Sequence, residues 1–197
     1  MAIDPQCLVG GIGPRQAPLS LAHMIKQWLG FGPAPQLRVL MVCMGNICRS
    51  PMAEAVLRGK LQRAGLDKVV AVDSAGTHGF HRGSPPDPRA VSQARLRGYR
   101  VDGLKSRPLE AADFSRFDLL LAMDRNNLAS LQSRCPPESP ARLELLLGYA
   151  TAGANLPDPV LEVRDPYYGQ LSGFEQALDL IEPACDGLLI ALQRRLA

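Results

Sequence analysis

The chain has 197 residues, of which 46% are hydrophobic and 21% are charged. This composition predicts one domain with a hydrophobic core and excludes a disordered chain, a collagen and a disulfide-stapled miniprotein. The net charge of +3 comes from scattered Lys and Arg residues, so it does not indicate a nucleic-acid partner. No run approaches the roughly 18 apolar residues of a membrane-spanning helix.

The cysteines and the N-terminus indicate the cellular location. The chain has five cysteines, an odd number, and its first residues lack the basic region of a secretory signal. Together these features predict a reducing, cytoplasmic location.

The first 36 residues differ from the rest of the chain. Two breaker-rich segments, residues 10–14 and 30–35, enclose a stretch in which apolar residues recur at helical spacing. Ser20 is placed to cap a short amphipathic helix there. We therefore predict an N-terminal extension over residues 1–36 whose helix docks on the main domain. Contact with a membrane surface or a partner helix is the alternative, which the scarcity of positive charge disfavours.

From residue 37 onwards, short apolar runs alternate with segments of helical periodicity. Strands are predicted over residues 37–42, 69–72, 117–122 and 143–147, the last with a helical turn as the alternative. Helices are predicted over residues 51–64, 88–96 and 174–196, with another passing through Leu128 and Leu131. This alternation predicts an α/β fold in which helices cover both faces of a four-stranded, doubly wound parallel sheet. Ligands of such sheets bind beyond the carboxyl ends of the strands.

The segment after the first strand has the features of a phosphate-binding loop. It begins at Cys43, ends at Arg49 and stands between a predicted strand and a predicted helix. A loop this short turns several backbone N–H groups towards one centre, to which the N-terminus of the next helix also points. Gly45 allows a tight turn, and Asn46 tolerates left-handed geometry. The predicted phosphate-binding residues are Met44, Gly45, Asn46, Ile47, Cys48 and Arg49.

Cys43 and Arg49 are the chemically distinctive residues of this loop. The planar guanidinium of Arg49 matches two oxygens of a phosphate group. The positive field at the base of the loop favours the thiolate of Cys43, which would then lie in line for attack on phosphorus. The alternative is a buried cysteine in an ordinary strand-to-helix turn, with the spacing between the two residues accidental.

A second motif stands more than a hundred residues after the loop. The loop reads CMGNICRS over residues 43–50, and the second motif reads DPYYG over residues 165–169. With these two motifs, the sequence resembles the low-molecular-weight protein tyrosine phosphatases. Residues 73–74, 86–90 and 123–126 are also similar to that family. The resemblance covers about four fifths of the chain, and we assign residues 37–197 to a phosphatase domain of this kind.

The resemblance implies a role for each catalytic residue. Cys43 would be the nucleophile and would carry a cysteinyl-phosphate, and Arg49 would bind the phosphoryl group and stabilise its charge in the transition state. Asp165 would protonate the leaving phenolate and then act as base on the water that hydrolyses the intermediate. Because Asp165 must start protonated while Cys43 is ionised, a mildly acidic, bell-shaped pH profile is expected. Asp158 also precedes a proline, but it lacks the following Tyr-Tyr-Gly, so Asp165 is preferred.

Other loop residues receive supporting roles from the same resemblance. Ser50 would donate a hydrogen bond to the sulfur of Cys43, and Asn46 and Ser74 would hold the shape of the loop. Cys48 would form a reversible disulfide with Cys43 under peroxide, the alternative being a small residue that fills the loop. No metal or other cofactor is expected, because the arginine and the backbone dipoles supply the positive charge.

Aromatic residues near the second motif predict the specificity. Tyr167 and Tyr168 would line one wall of the cleft and Phe80 the facing loop, which suits a flat phenyl ring. Phosphotyrosine would reach the loop, whereas phosphoserine is too short. His78 and His81, which flank Phe80, are expected to face solvent rather than to take part in catalysis.

One departure from the family and three alternative functions stay open at this stage. Many relatives carry a histidine that braces Asn46, where this chain has Leu104, so that brace is missing or replaced. Arsenate reductases share the fold and the loop but need resolving cysteines, of which Cys135 is a single candidate. Protein-arginine phosphatases tend to carry threonine at the position of Ile47. A non-catalytic phosphotyrosine-binding module would be expected to lack the nucleophile or the acid.

The resemblance also implies a partner class. The substrate would be a phosphotyrosine-containing protein, and the style of the motifs suggests a bacterial enzyme. Bacterial relatives often oppose a tyrosine kinase that controls exopolysaccharide export, which makes such a kinase the natural candidate partner.

Overall fold

The computed structural model describes residues 34–150 and 162–197. Cys7, Asp158 and the helix predicted between residues 20 and 29 lie outside the described residues, so these predictions stay open. Within the described ranges, no helix is both long enough and apolar enough to cross a membrane.

The described residues form a parallel sheet flanked by helices. The strands are β1 (Leu37–Cys43), β2 (Val70–Gly76), β3 (Leu119–Ala122) and β4 (Arg142–Leu145). The helices are α1 (Arg49–Arg63), α2 (Pro88–Leu96), α3 (Asp113–Arg116), α4 (Arg125–Arg134) and α5 (Leu171–Leu196). All three strand pairs are parallel, and the spatial order is β2-β1-β3-β4. The predicted four-stranded, doubly wound α/β fold is confirmed.

The observed element boundaries differ from the predicted ones at the end of β2 and at the end of β4, and one short helix, α3, was not predicted. β2 continues to Gly76 because the polar residues Asp73 and Ser74 pair with β1. β4 ends at Leu145 and a 3-10 helix (Leu146–Tyr149) follows it, so both alternatives for this segment occur in succession. The four residues of α3 were not predicted, because such a short helix has no detectable periodicity.

Helix α5 begins at Leu171 and contains Pro183 in its interior. An internal proline removes one helical hydrogen bond and costs about 3 kcal/mol in an otherwise regular helix. The helix nevertheless continues because its apolar face is fully buried, with Phe174, Leu178 and Ile181 at 0% exposure. Tertiary burial therefore outweighs the local preference at this position.

The two faces of β1 contribute to separate halves of the core. Val39, Met41 and Cys43 belong to the hydrophobic cluster that includes residues of α1 and α5. Leu40 and Val42 point to the opposite face, into the cluster formed with residues of α3 and α4. This alternation is the period of a strand. It places Cys43, the last residue of β1, at the carboxyl edge of the sheet on the α1 side.

Gly76, the last residue of β2, lies directly against the segment that follows β1. A side-chain carbon at this position would stand 2.7 Å from the carbonyl oxygen of Met44 and 2.8 Å from that of His78. Both neighbours are backbone atoms, so they cannot move aside without displacing the chain. The close approach of the two strand ends therefore requires glycine at this position.

We expect Gly76→Ala to lower the free energy of unfolding by about 1–3 kcal/mol, because the added methyl group overpacks a rigid backbone contact. Urea denaturation measures the change. Gly79→Ala is the matched control, since a side-chain carbon there would lie 3.6 Å from its nearest neighbour, Pro108. Equal stability of the two variants would contradict this account of Gly76.

Candidate active site

The loop between β1 and α1, residues 43–49, has its carbonyl groups turned outwards. Four of them accept hydrogen bonds from outside the loop: Cys43 from Thr77 N (2.8 Å), Met44 from His78 N (2.9 Å), Gly45 from Ser106 Oγ (3.0 Å) and Ile47 from Asp87 N (2.8 Å). In a trans peptide the N–H points away from the C=O. The amides that follow these carbonyls therefore face the inside of the loop, which is the arrangement that binds an anion.

The sulfur of Cys43 lies at the base of this loop. The backbone N–H of Asn46 donates to Sγ at 3.3 Å, and the hydroxyl of Ser50 lies 3.0 Å from Sγ. Cys43 is 2% exposed, and α1 begins six residues later, at Arg49. The sulfur is therefore close to the positive end of a 15-residue helix and to inward-facing amides, both of which stabilise negative charge.

Arg49 is buried, although it carries a full charge. Its Nη1 donates to Asp124 (2.5 Å) and to the carbonyl of Val163 (3.0 Å), and its Nη2 donates to Asp165 (2.5 Å). Burial opposes the charged form, but the negative charges of Cys43, Asp165 and Asp124 outweigh it and raise the pKa of Arg49. Its Nε is buried without an acceptor among the described residues, so this N–H is available to an oxyanion.

The side chain of Asn46 holds the loop in its unusual conformation. Asn46 has a φ of 55°, the left-handed geometry predicted for it. Its Nδ2 donates to the hydroxyls of Ser50 (2.9 Å) and Ser74 (2.8 Å). Gly45 lies in the same tight turn, as predicted, and has no positive φ. A side-chain carbon at this position would lie 3.0 Å from the ring of His81, so the histidine ring would have to shift to admit one.

A backbone hydrogen bond replaces the histidine that many relatives carry at the position of Leu104. The N–H of Arg107 donates to Oδ1 of Asn46 at 2.9 Å. The side chain of Arg107 is itself fixed by Asp73 and Asp113, each at 2.9 Å. Leu104 is partly buried and packs against the core cluster of α1. Asn46 therefore keeps all its side-chain hydrogen bonds without a histidine.

A buried carboxyl group below the loop was missed in the sequence. Ser74 Oγ donates to Glu54 Oε2 at 2.5 Å, and Arg58 lies 2.7 Å from Oε1. Glu54 is 1% exposed, and its burial raises the pKa of the carboxyl group above the ordinary value of 4.5. The only signal in the sequence is the position of Glu54 on the buried face of α1, one turn after its start. A glutamate is rarely buried, so its residue type does not predict burial there.

Asp165 is brought to the loop by the segment that precedes α5, residues 162–170, which we call the Asp165 loop. Its carboxyl group accepts from Arg49 and from the N–H of Tyr167 (3.1 Å), and its side chain is 40% exposed. Asp165 and Cys43 line the same open cleft. Two residues separated by more than a hundred positions thus face one space.

The predicted aromatic residues surround the mouth of this cleft. Phe80, Tyr167 and Tyr168 all line it, and the rings of Tyr167 and Tyr168 meet edge to face at 4.9 Å. Tyr168 is 97% exposed, and Phe80 is 76% exposed. These two rings therefore stand at the entrance, where an incoming aromatic ring would cover them.

The two histidines near Phe80 have different environments. His78 is exposed and stacks on the ring of Phe80 at 5.2 Å, as its predicted solvent-facing position requires. His81 is instead only partly exposed, lines the cleft and lies 6.0 Å from the ring of Tyr167, so its predicted solvent-facing position holds only in part. The fold turns the loop after β2 inwards at this residue, and no local pattern indicates that turn.

Cys43 and Cys48 are both free cysteines in the structure. Cys48 is 4% exposed, and burial, followed by the negative charge of Asp87, raises the pKa of its thiol. The thiol of Cys48 is therefore predominantly protonated at neutral pH. The disulfide between Cys43 and Cys48 stays a prediction.

Comparison with known proteins identifies the family. Residues 38–197 match the model of the low molecular weight phosphotyrosine protein phosphatases. A low molecular weight protein-tyrosine-phosphatase of Streptomyces coelicolor is 44% identical over 161 residues, which cover 80% of this chain and 94% of the relative. The chain belongs to the low molecular weight phosphotyrosine protein phosphatase family. The predicted enzyme class, a protein-tyrosine phosphatase, is confirmed.

Two solved structures show the same fold. A protein tyrosine phosphatase from Entamoeba histolytica has a TM-score of 0.75 and 38% identity, covering 82% of this chain and 99% of that protein. A Drosophila arginine phosphatase has a TM-score of 0.72 and 31% identity, covering 79% and 98%. Because these relatives come from bacteria and eukaryotes, a bacterial origin stays a prediction. The arsenate reductase alternative finds no support in these relatives.

Glu54→Gln tests the buried carboxyl group through the pH dependence of stability. Because the pKa of Glu54 is raised in the folded state, unfolding releases its proton above pH 4.5, and the folded protein loses stability as the pH rises through the raised value. Glutamine removes this loss and still accepts from Ser74. We therefore expect the difference in unfolding temperature, variant minus original chain, to increase as pH rises from about 4.5 to about 8.

Glu175→Gln, which removes an exposed carboxylate from α5, is the control for loss of a negative charge. The interpretation is contradicted if the two glutamine variants show the same pH dependence of unfolding temperature.

Proposed function

We propose that this chain hydrolyses phosphotyrosine in proteins through a cysteinyl-phosphate on Cys43. The observation that supports this most strongly is the meeting of three groups in one cleft: the sulfur of Cys43, the guanidinium of Arg49 and the carboxyl group of Asp165. A nucleophile, an oxyanion site and an acid are the three components that phosphate-ester cleavage by covalent catalysis requires.

In the first step, the thiolate of Cys43 attacks phosphorus from the base of the loop. The inward-facing amides and Arg49 bind the non-bridging oxygens, and the incoming phosphate takes the place of the Asp165 carboxyl group at Nη2 of Arg49. Asp165 then gives its proton to the phenolic oxygen as the bond between oxygen and phosphorus breaks. The products are the dephosphorylated tyrosine side chain of the substrate protein and a cysteinyl-phosphate on Cys43.

In the second step, water attacks phosphorus on the side that the phenol has left. Asp165, now a carboxylate, takes a proton from this water, and the bond between sulfur and phosphorus breaks. The hydroxyl of Ser50, 3.0 Å from Sγ, stabilises the departing thiolate. Inorganic phosphate leaves, and Cys43 and Asp165 return to their starting states.

The cleft favours an aromatic phosphate ester. Phe80, Tyr167 and Tyr168 at its mouth match a phenyl ring, and the buried position of Cys43 requires a side chain as long as phosphotyrosine. Ile47, which lines the cleft, supplies an apolar surface rather than a hydroxyl group. Phosphoarginine is the substrate to compare, because a related Drosophila protein is an arginine phosphatase.

The proposed setting follows from this substrate. The partner is a phosphotyrosine-containing protein, with a bacterial tyrosine kinase as the candidate, and the location is the cytoplasm. Residues 1–36 are proposed to form an extension outside the catalytic domain of residues 37–197.

A panel of phosphopeptides tests the substrate class. We expect hydrolysis of a phosphotyrosine peptide and at least about 100-fold lower kcat/KM for the phosphoserine and phosphoarginine peptides of the same sequence, because neither presents an aromatic ester to the cleft. Phosphate release is the measurement, and Cys43→Ser, which removes the nucleophile, is expected to abolish it. Preferred cleavage of phosphoarginine would overturn the proposal.

Asp165→Asn tests the acid. We expect a loss of about 10²–10⁴-fold in kcat/KM for the phosphotyrosine peptide, because asparagine cannot donate the proton. The bell-shaped pH profile of the original enzyme should lose the limb that reports this acid when rates are measured from about pH 4 to about pH 8. Asp158→Asn is the matched control, and a larger loss in that variant would reverse the assignment.

A further inference from the structure

Arg89, in the first turn of α2, binds the Asp165 loop from the outside. Its Nη1 donates to the carbonyl of Gly169 at 3.0 Å, and its Nη2 donates to the carbonyl of Tyr167 at 2.9 Å. The guanidinium also lies over the ring of Phe174, 4.6 Å from its centroid. One side chain thus joins two backbone positions of the loop to the start of α5.

These contacts anchor the half of the loop that follows Asp165. The preceding half is held by Val163, whose N–H donates to Met123 at 2.8 Å and whose carbonyl accepts from Arg49. After Asp165, among the described residues, Arg89 is the only side chain outside the loop that donates to the carbonyls of residues 166–170. The position of Asp165 therefore depends on an anchor on each side.

Asp87 connects this anchor to the phosphate-binding loop. Its carboxylate accepts from Nε (3.0 Å) and Nη2 (2.8 Å) of Arg89, and its backbone N–H donates to the carbonyl of Ile47 at 2.8 Å. The hydrogen bond from Arg89 lowers the pKa of Asp87, so the pair is ionised across the neutral range. An unbroken series of hydrogen bonds thus runs from the nucleophile loop to the loop that carries the acid.

We propose that Arg89, oriented by Asp87, is a positioning residue that fixes the Asp165 loop against the phosphate-binding loop, so that the acid meets the leaving-group oxygen. The proposal rests on the proposed phosphatase function. It gives a role to the segment of residues 86–90, which resembles the family but lies outside the set of predicted site residues.

Arginine is required for this role because of its shape. The four hydrogen bonds use three nitrogens that lie in one plane, and the guanidinium carbon lies 4.6 Å over the ring of Phe174. A lysine ammonium carries the same charge at a single point and cannot reach Asp87 and both carbonyls together. The variant Arg89→Lys therefore keeps the positive charge but loses the planar geometry, so it tests which of the two the site needs.

The test compares two substrates that depend differently on the acid. A phosphotyrosine peptide has a poor leaving group that needs a proton, whereas p-nitrophenyl phosphate has a good leaving group that needs it less. We expect Arg89→Ala to lower kcat/KM for the peptide by about 100-fold. For p-nitrophenyl phosphate, we expect kcat/KM to fall by no more than about tenfold. We expect Arg89→Lys to resemble the alanine variant.

Two controls separate positioning from loss of structure. Arg95→Ala removes an exposed arginine from the same helix, where it pairs with Asp102, and is expected to leave both substrates unaffected. Inhibition by inorganic phosphate reports anion binding at the phosphate-binding loop without any leaving-group step, and it should stay within about twofold in both Arg89 variants. If the alanine variant does not fold, Arg89→Lys carries the test.

The outcomes distinguish this proposal from the proposed function. An original enzyme that does not cleave the phosphotyrosine peptide contradicts the proposed function. An active original enzyme with equal losses on both substrates, or with full activity in Arg89→Lys, overturns the positioning role of Arg89 alone. The proposal is supported by a selective loss on the peptide with unchanged inhibition by phosphate.

Discussion

The structure depends on one constraint, which is that a short loop must hold its amides inwards around a buried sulfur. Such a loop has no regular hydrogen-bond pattern of its own, so its outward carbonyls need partners from elsewhere. The residues that follow β2, the residue that precedes α2 and Ser106 supply them. The left-handed Asn46 closes the turn, and its side chain is held by Ser50, Ser74 and the backbone of Arg107.

The buried charge of Arg49 creates the second requirement. An unpaired guanidinium at 1% exposure would be strongly unfavourable, so its partners must be carboxylates or carbonyls that are fixed in place. Asp124 supplies one from the end of β3 and Asp165 the other from its own loop. The same ion pair that stabilises the arginine therefore places the Asp165 carboxyl group, the proposed acid, beside the loop proposed to bind phosphate. The contacts that stabilise the buried arginine are therefore the same contacts that arrange the site.

Much of the fold could be predicted because its signals are local. The apolar run of β1, the loop after it and the periodicity of α1 and α2 each lie within a few residues of sequence. The prediction was weakest where local preference competes with burial, as at Pro183 inside α5 and at the polar end of β2. His81 was misjudged in part and Glu54 was missed for the same reason, since a residue type does not reveal which side of a loop or helix the fold will cover.

The sequence by itself determined the loop from Cys43 to Arg49, because these two residues are joined by five residues whose geometry follows from a strand, a tight turn and a helix. It also determined the family, through two motifs in a fixed order. Only the tertiary structure decided which groups meet around that loop. Asp165 is 116 positions from Arg49, and Tyr167 is 78 positions from Arg89. Contacts across such separations arise from the packing of whole elements, so the motif at Asp165 could name these residues but not their hydrogen-bond partners.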